Sequence, residues 1–389
     1  MTLRDGKPVS GPPADEPAVA QAPGVPAPAA AVAAGGASGV FEVLLRLRTD
    51  RTRTRQARAG SILVLLLLGA LLPQFARDPY IVSVGMQVEV MMCLALGLNM
   101  VVGYAGLLDL GFAAFFAIGA YTTGLLSTDL GWPIVLTLPI ALVLSLVGAV
   151  IVGMPTLRLR SDYLAVVTLG FGEIIQNIVN NLQQTGGPTG IFGIPPLSIG
   201  GLEIVTPDGY YYVFFVTLIA FIGVTWRIRN SWLGRAWLAI REDEDVAQAM
   251  GIKTQRYKLY AYMAGAVLGA ITGSFYAPAM VGIAPPTFGF LESLLVVMAV
   301  SIGGMGSLAG ALLGALVVMA GPELLRAFSQ ARLLIFGLVL VVMMMSRPQG
   351  VWPEGGLGIG SRVDAFLRRR VRATPEAAAT AAGQGEGDA

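Results

Sequence analysis

The chain has 389 residues, 55% of them hydrophobic and only 13% charged, with a mean hydropathy of +0.70. Soluble domains are about a quarter charged, so this chain cannot cover a water-facing surface and its excess apolar sequence must meet lipid. A net charge of +2 offers nucleic acid no broad basic surface, the absence of His removes His-based triads and proton relays, and the single Cys93 excludes an internal disulfide or cysteine metal cluster.

In chain order, residues 1–58 are expected to be a disordered Pro/Ala-rich tail ending in a cytoplasmic Arg-rich segment (Arg46, Arg48, Arg51, Arg53, Arg55, Arg58). The apolar run that follows has no small-x-small cleavage site after it, so it reads as an uncleaved first span. Residues 59–350 form the membrane domain, and 351–389 are expected to be a cytoplasmic, largely disordered tail. The expected fold is all-α and polytopic, a glycine-rich bundle. About ten apolar segments are predicted at 61–75, 81–102, 111–127, 133–153, 163–182, 210–226, 258–279, 288–302, 307–320 and 331–346. Several fall short of the roughly 20 residues needed to cross, which suits half-helices or re-entrant pieces. Ten crossings starting inside place Arg158, Arg160 and the seven basic residues from Arg227 to Lys258 in the cytoplasm, with only Arg77, Arg326 and Arg332 outside. That is the positive-inside pattern, with both termini cytoplasmic. Trp132, Trp226 and Trp352 fall at span ends, where indoles anchor to the interface.

The segment GLNMVVGYAGLLDLGFAAFF carries Gly103, Gly106 and Gly111 around Asp109. A carboxylate in hydrocarbon costs about 3 kcal/mol or more, so Asp109 belongs at an interface or in the protein interior. Gly303, Gly306 and Leu308 repeat the spacing of Gly103, Gly106 and Leu108. Both sites fit ordinary cytoplasmic turns, and both fit broken helices lining a path. Pairs at small-x3-small spacing (Gly265/Gly269, Gly269/Gly273, Gly306/Gly310) are a packing signal.

Further on, Glu173, Gln176, Asn177, Asn180, Asn181 and Gln184 recur at three- and four-residue steps and stack into one polar stripe. Interhelical hydrogen bonding and a wall of a polar translocation path explain it equally well. Residues 183–209 form the longest outer loop, with Glu203 and Asp208 but no Lys or Arg, a surface suited to an external partner. The longest inner loop, 227–257, contains AIREDEDVAQAM, which reads as one short helix over 239–250. Its acids lie toward the positive end of the helix dipole and Gly251 is placed for a left-handed cap. Ile240, Val246, Ala249 and Met250 are the apolar residues available to seat it, and Trp232, Trp237, Arg235 and Arg241 flank it.

LGLNMVVGYAGLLDLGFAAFFAIGAY, LRLRSDYLAVVTLGFGEIIQNIVNN, TGGPTGI, GRAWLAIREDEDVAQAMGI, FLESLLVVMAVSIGGMGSLAGALLGA and RLLIFGLVLVVMMMSRPQG follow one another across residues 80–352. Together they resemble the LivM-type permease subunits of branched-chain amino acid ABC importers. The resemblance implies a permease in the inner (plasma) membrane that passes Leu, Ile or Val into the cytoplasm. It also implies a homologous second permease, two cytoplasmic ATP-binding subunits that hold ATP and Mg, and a periplasmic or extracellular substrate-binding protein. Residues Arg235, Arg241, Glu242, Asp243, Glu244, Ala247, Met250 and Gly251 match the family's coupling loop and inherit its role. Asp109, Glu173, Asn177, Asn181 and Gln184 are the candidate path residues, and Gly103, Gly106, Gly303 and Gly306 the candidate hinges. The chain departs from the family in its long tail, in Asp109 where a small polar residue is usual, and in Phe112 where His is common.

This chain is not expected to be an enzyme or to bind a cofactor itself. It lacks G-x-x-x-x-G-K-[ST], its sole Gly–Lys pair being Gly6–Lys7. Glu89, Asp109, Glu173 and Glu292 are scattered carboxylates, which argues against a polytopic enzyme. Two transport readings stand beside the first: the same importer carrying urea, short amides or other amino acids, and a stand-alone secondary transporter or channel.

Overall fold

A computed structural model describes residues 78–156, 161–199, 202–324 and 350, with isolated positions at 69, 73, 337, 338 and 341. Outside the described residues lie both predicted tails, the Arg-rich segment, Arg77, Arg158, Arg160, Arg326, Arg332 and Trp352. The first and last predicted segments, 61–75 and 331–346, fall there too apart from the isolated positions. The described residues belong to the unit Ala57–Ala389.

Each of the other eight predicted segments is a helix. In order they are α1 (Pro79–Leu98, continued by a π-helix Asn99–Tyr104), α2 (Ala113–Asp129), α3 (Ile134–Thr156), α4 (Ser161–Asn181) and α5 (Pro207–Arg229). Two short helices follow, α6 (Trp232–Glu242) and α7 (Glu244–Ala249), and then α8 (Thr254–Met280), α9 (Phe290–Gly303) and α10 (Leu308–Leu324). Among the described residues, five stretches are long and apolar enough to cross a membrane: Pro79–Tyr104, Ile134–Pro155, Pro207–Arg229, Thr254–Met280 and Pro285–Gly303. Of the ten predicted full or partial spans, two lie outside the described residues apart from isolated positions, and the other eight divide into these five and three shorter or more polar helices. Helices α2 and α10 have 17 residues each, about 26 Å at 1.5 Å per residue and short of a 30 Å hydrocarbon layer. Helix α4 has the length, at 21 residues, but carries the polar stripe.

The surface of α3 supports a lipid environment. Val135, Leu136, Val143, Leu144, Val147, Ile151 and Met154 are all exposed along this one helix. Water would make such a face costly, whereas hydrocarbon accepts it. Helix α8 lies at the centre, packed on α1, α2, α3 and α5. Its glycines permit that crowding. A Cβ on Gly273 would overlap the Phe116 carbonyl, and one on Gly119 would overlap Ala270, so α2 and α8 cross with backbone against backbone. Gly265 also lies close to Gly97 of α1, where its Cβ would stand 3.1 Å from the Gly97 carbonyl. Hydroxyls tie the seams: Ser145 donates to the Ala266 carbonyl (2.9 Å) and Ser274 to the Gly119 carbonyl (3.3 Å).

The all-α expectation needs one amendment on the predicted outer face. Strands β1 (Ile191–Phe192) and β4 (Gly282–Ile283) pair antiparallel, and β2 (Leu197–Ile199) and β3 (Leu202–Ile204) form a hairpin. Strands of two or three residues lack the alternation that would announce them. The Leu197 amide donates to the Tyr210 hydroxyl (3.0 Å), fixing the hairpin to the start of α5. Trp132 and Trp226 are exposed, as interfacial anchors should be.

Candidate functional site

The two glycine breaks meet. Gly106 (φ +70°) and Gly306 (φ +83°) occupy the same position of the repeated spacing, and both take the left-handed conformation that L side chains resist. Before the first break α1 widens into the π-helix, a local fault that tends to mark functional sites. Asn99 opens that fault and its Oδ1 accepts from the Gly306 amide (2.9 Å). Gly103 has no room for a side chain, because a Cβ there would overlap Asn99 Oδ1 and stand 2.6 Å from the Gly306 nitrogen. Gly303 faces Gly310 as closely, pressing the end of α9 on α10. These are therefore breaks between packed helices, with only Gly106 and Met305 exposed within 103–107 and 302–308.

Asp109 sits in the link from the π-helix to α2 and is fully buried. Its Oδ1 accepts from the Gly111 amide (2.8 Å), and its Oδ2 has no hydrogen-bond partner among the described residues. The link is pinned on both sides: the Leu110 amide donates to Thr168 Oγ1 of α4 (3.1 Å), and the Ala113 amide to Ser293 Oγ of α9 (2.9 Å). Gly111 lies against the Thr168 carbonyl so closely that a Cβ would overlap it. Asp109 thus shapes a turn from within, apart from the stripe on α4.

Glu173, Asn177, Asn181 and Gln184 of that stripe are exposed on and just beyond α4, while Gln176 and Asn180 are half-buried. Asn177 Nδ2 donates to the Glu173 carbonyl and Asn181 Nδ2 to the Asn177 carbonyl, both at 2.8 Å and both within the helix. Gln176 alone of these six bonds to another described element, donating to the Pro285 carbonyl (3.2 Å). Among the described residues, bonding to another element therefore accounts for one stripe residue, Gln176. A groove of about 200 Å³ lined by Met100, Leu146, Val224, Ile228, Met263 and Leu268 lies elsewhere and has no stripe residue in its wall.

The inner loop corrects the expectation of one helix over 239–250. Asp243 is extended (φ −157°, ψ 113°), ending α6 and starting α7. Its carboxylate accepts from the Asp245 and Val246 amides (3.0 Å each), so it serves as an N-cap and breaks a stretch that propensity alone would continue. The seat differs as well. Ile240 and Ala247 are buried with Trp237, but Val246, Ala249 and Met250 face outward, Met250 with 79% exposure. Trp237 Nε1 donates to the Tyr257 carbonyl (2.7 Å), holding α6 against α8. Gly251 does take the left-handed cap (φ +88°), with its amide on Gln248 (2.9 Å) and the Ile252 amide on Ala247 (3.1 Å). That is the paired 6→1 and 5→2 closure of a Schellman motif.

Charges of the loop divide by direction. Arg235 donates to the Asn230 carbonyl at the loop's start (3.2 Å), and Glu242, Asp243 and Glu244 are exposed. Arg241, although exposed itself, reaches back to the bundle: it donates to the Gly103 carbonyl, and its stem lies 3.0 Å from where a Gly106 Cβ would be. Lys258, a buried lysine near the start of α8, pairs with Glu244 of α7. In the sequence Lys258 is marked only as a loop charge, and Asn99 is not singled out. A lone amide four residues before a glycine break was the available signal for Asn99; nothing local marks the Lys258 pair.

Among the described residues no three His, Cys, Asp or Glu side chains gather where they could hold a metal ion. Fold and site define a multi-span α-helical membrane protein with paired glycine breaks and a short two-helix handle on its predicted inner face. The chain matches the family described as "Branched-chain amino acid transport system / permease component" over residues 80–346, and it belongs to that family. It is 38% identical over 317 residues to the high-affinity branched-chain amino acid transport system permease protein LivM of Salmonella typhimurium, covering 74% of this chain and 75% of that one. The Escherichia coli K12 LivM protein matches to the same extent, 38% over 317 residues. The LivH permease protein of Escherichia coli K12 is 25% identical over 299 residues, 68% of this chain and 90% of that one. No solved structure matches at a significant level.

Proposed function

We propose that this chain is the LivM-type permease subunit of an ATP-driven importer. It passes Leu, Ile or Val, handed over by a periplasmic or extracellular binding protein, into the cytoplasm. Its membrane domain spans 59–350 in the inner (plasma) membrane, with the tails 1–58 and 351–389 and the coupling loop 227–257 on the cytoplasmic side. A homologous second permease completes the path, and two cytoplasmic ATPase subunits, holding ATP and Mg, drive it. The chain itself does no bond chemistry.

The observation that carries this reading is the outward-facing stripe of α4. Glu173, Asn177, Asn181 and Gln184 are exposed on a helix embedded in an otherwise lipid-suited bundle. Lipid does not tolerate such a row, so it needs a second protein wall or water against it. A second permease bordering a solute path supplies both. Similarity of one chain to both LivM and LivH proteins supports pairing of two homologous permeases. The mechanism follows the usual linkage. ATP binding moves the ATPases, the α6–α7 handle takes up that movement, and the bundle exchanges outward for inward access.

The stripe also sets the test. The double variant Asn177→Leu/Asn181→Leu removes two amides without disturbing any bond between described elements, because both side chains bond within α4. Leucine uptake per assembled complex is expected to fall about tenfold, while the amount of assembled complex changes less. Unchanged uptake per complex would mean that the stripe only packs against a neighbour.

A further inference from the structure

Among the described residues, Arg241 of the proposed coupling handle reaches the first glycine break. In a continuing α-helix the Leu107 amide would serve the Gly103 carbonyl; here it returns to Val101 instead (3.1 Å). The Gly103 oxygen is thereby left for Arg241, whose Nη1 donates to it from the end of α6. Around this bond the fit is specific. Gly106 offers its bare, left-handed backbone to the Arg241 stem, with only 3.4 Å between a Gly106 Cβ and the Arg241 Cβ. Within the same π-helix, Asn99 accepts from Gly306, the corresponding position of the second break. One chain of contacts therefore runs from the handle through Arg241, Gly103 and Asn99 to Gly306.

We infer that Arg241 is a positioning residue: a strut, kept throughout the cycle, that transmits displacement of the α6–α7 handle to both glycine breaks at once. This rests on the importer reading above and deepens it. The guanidinium suits the task, since a charge-assisted bond to a carbonyl combined with a packed stem resists both sliding and rotation. Of the handle's acids, Asp243 caps α7 and Glu244 pairs with Lys258, while Glu242 and Asp245 are exposed and stay available to a partner. Arg241 therefore acts on the bundle side of the joint.

The experiment uses the complete complex in vesicles and reads the ratio of binding-protein-stimulated to basal ATP hydrolysis, with co-purifying ATPase subunits as the measure of assembly. Arg241→Met is expected to lower that ratio about tenfold while the ATPases still co-purify. Arg256→Met, which removes an exposed charge at the start of α8, serves as control. The pair Gly106→Cys/Arg241→Cys, placed in a Cys93→Ala background because Cys93 is the chain's sole cysteine, replaces the strut by a covalent one. The 3.4 Å spacing lies close to the roughly 3.5–4.5 Å between disulfide Cβ atoms. Reduced, the pair should be as poorly stimulated as Arg241→Met; oxidised, it should regain most of the stimulation. Wild-type stimulation in Arg241→Met, failure of the pair to cross-link, or an oxidised form no better than the reduced one would each overturn the strut. A wild-type complex that shows no stimulation would instead count against the importer reading.

Discussion

Gly273→Val should remove the folded chain from the membrane. The crossing of α2 and α8 leaves no space at this position: a Cβ would overlap the Phe116 carbonyl and stand 2.8 Å from the Ala120 nitrogen. Both obstacles are backbone, so no rotamer change relieves them, and two helices must separate along their length. Overpacking costs about 1–3 kcal/mol where side chains can yield, and more at a contact that cannot. Because α8 also packs on α1, α3 and α5, the separation spreads through the bundle. Membrane abundance and a monodisperse detergent-solubilised peak are expected to fall at least about tenfold. Gly223→Val on α5 is the matched control, as nothing lies within 4 Å of a Cβ there. Equal loss in both variants would show that valine is harmful at any glycine, and normal abundance of Gly273→Val would refute the close crossing.

Ala247→Glu should leave the chain in the membrane but abolish its response to ATP. Ala247 is the buried residue of α7, and its carbonyl accepts from Ile252 in the closing turn. A glutamate there puts a carboxylate into a seam shared with α6 and α8, at a cost on the order of several kcal/mol if the helix stays seated. The helix is only six residues long, so it lifts rather than bears that cost. Gly251→Val acts on the other side of the same turn. Nothing crowds its Cβ, so the damage is backbone strain alone, about 1–2 kcal/mol at φ +88°. Stimulated ATP hydrolysis and uptake, in vesicles of matched protein content, should fall more than about tenfold for Ala247→Glu and by less for Gly251→Val. Gln248→Ala, exposed on α7, should do little. Normal stimulation and uptake in both would take the coupling role away from this loop.

Helix placement was legible because apolar length and the small-x3-small pairs are statements about lipid and close packing. Gly265, Gly269, Gly273 and Gly310 each come near a neighbouring helix or turn. The π-helix was not legible, since widening one turn changes no residue type and depends on Asn99 finding Gly306 more than two hundred positions away. The break at Asp243 was hidden by good helix formers on both sides, although Asp followed by acids is also how a helix begins. Val246 and Met250 misled for a related reason. A seat inferred for one helix rotates when that helix becomes two. Of the proposed path residues, Asp109 lies buried in a turn and the stripe faces outward, a distinction that composition cannot make.

Binding-protein-dependent uptake of labelled leucine tests the central claim most directly. The chain would be co-reconstituted with its neighbouring permease, ATPase and binding-protein partners, with ATP enclosed on the ATPase side. The account predicts leucine accumulation that needs ATP, the binding protein and this chain together, is competed by isoleucine and valine, and is lost when either permease is left out. Accumulation that proceeds without ATP or without the second permease would contradict it, as would a complete system that moves none of the three amino acids.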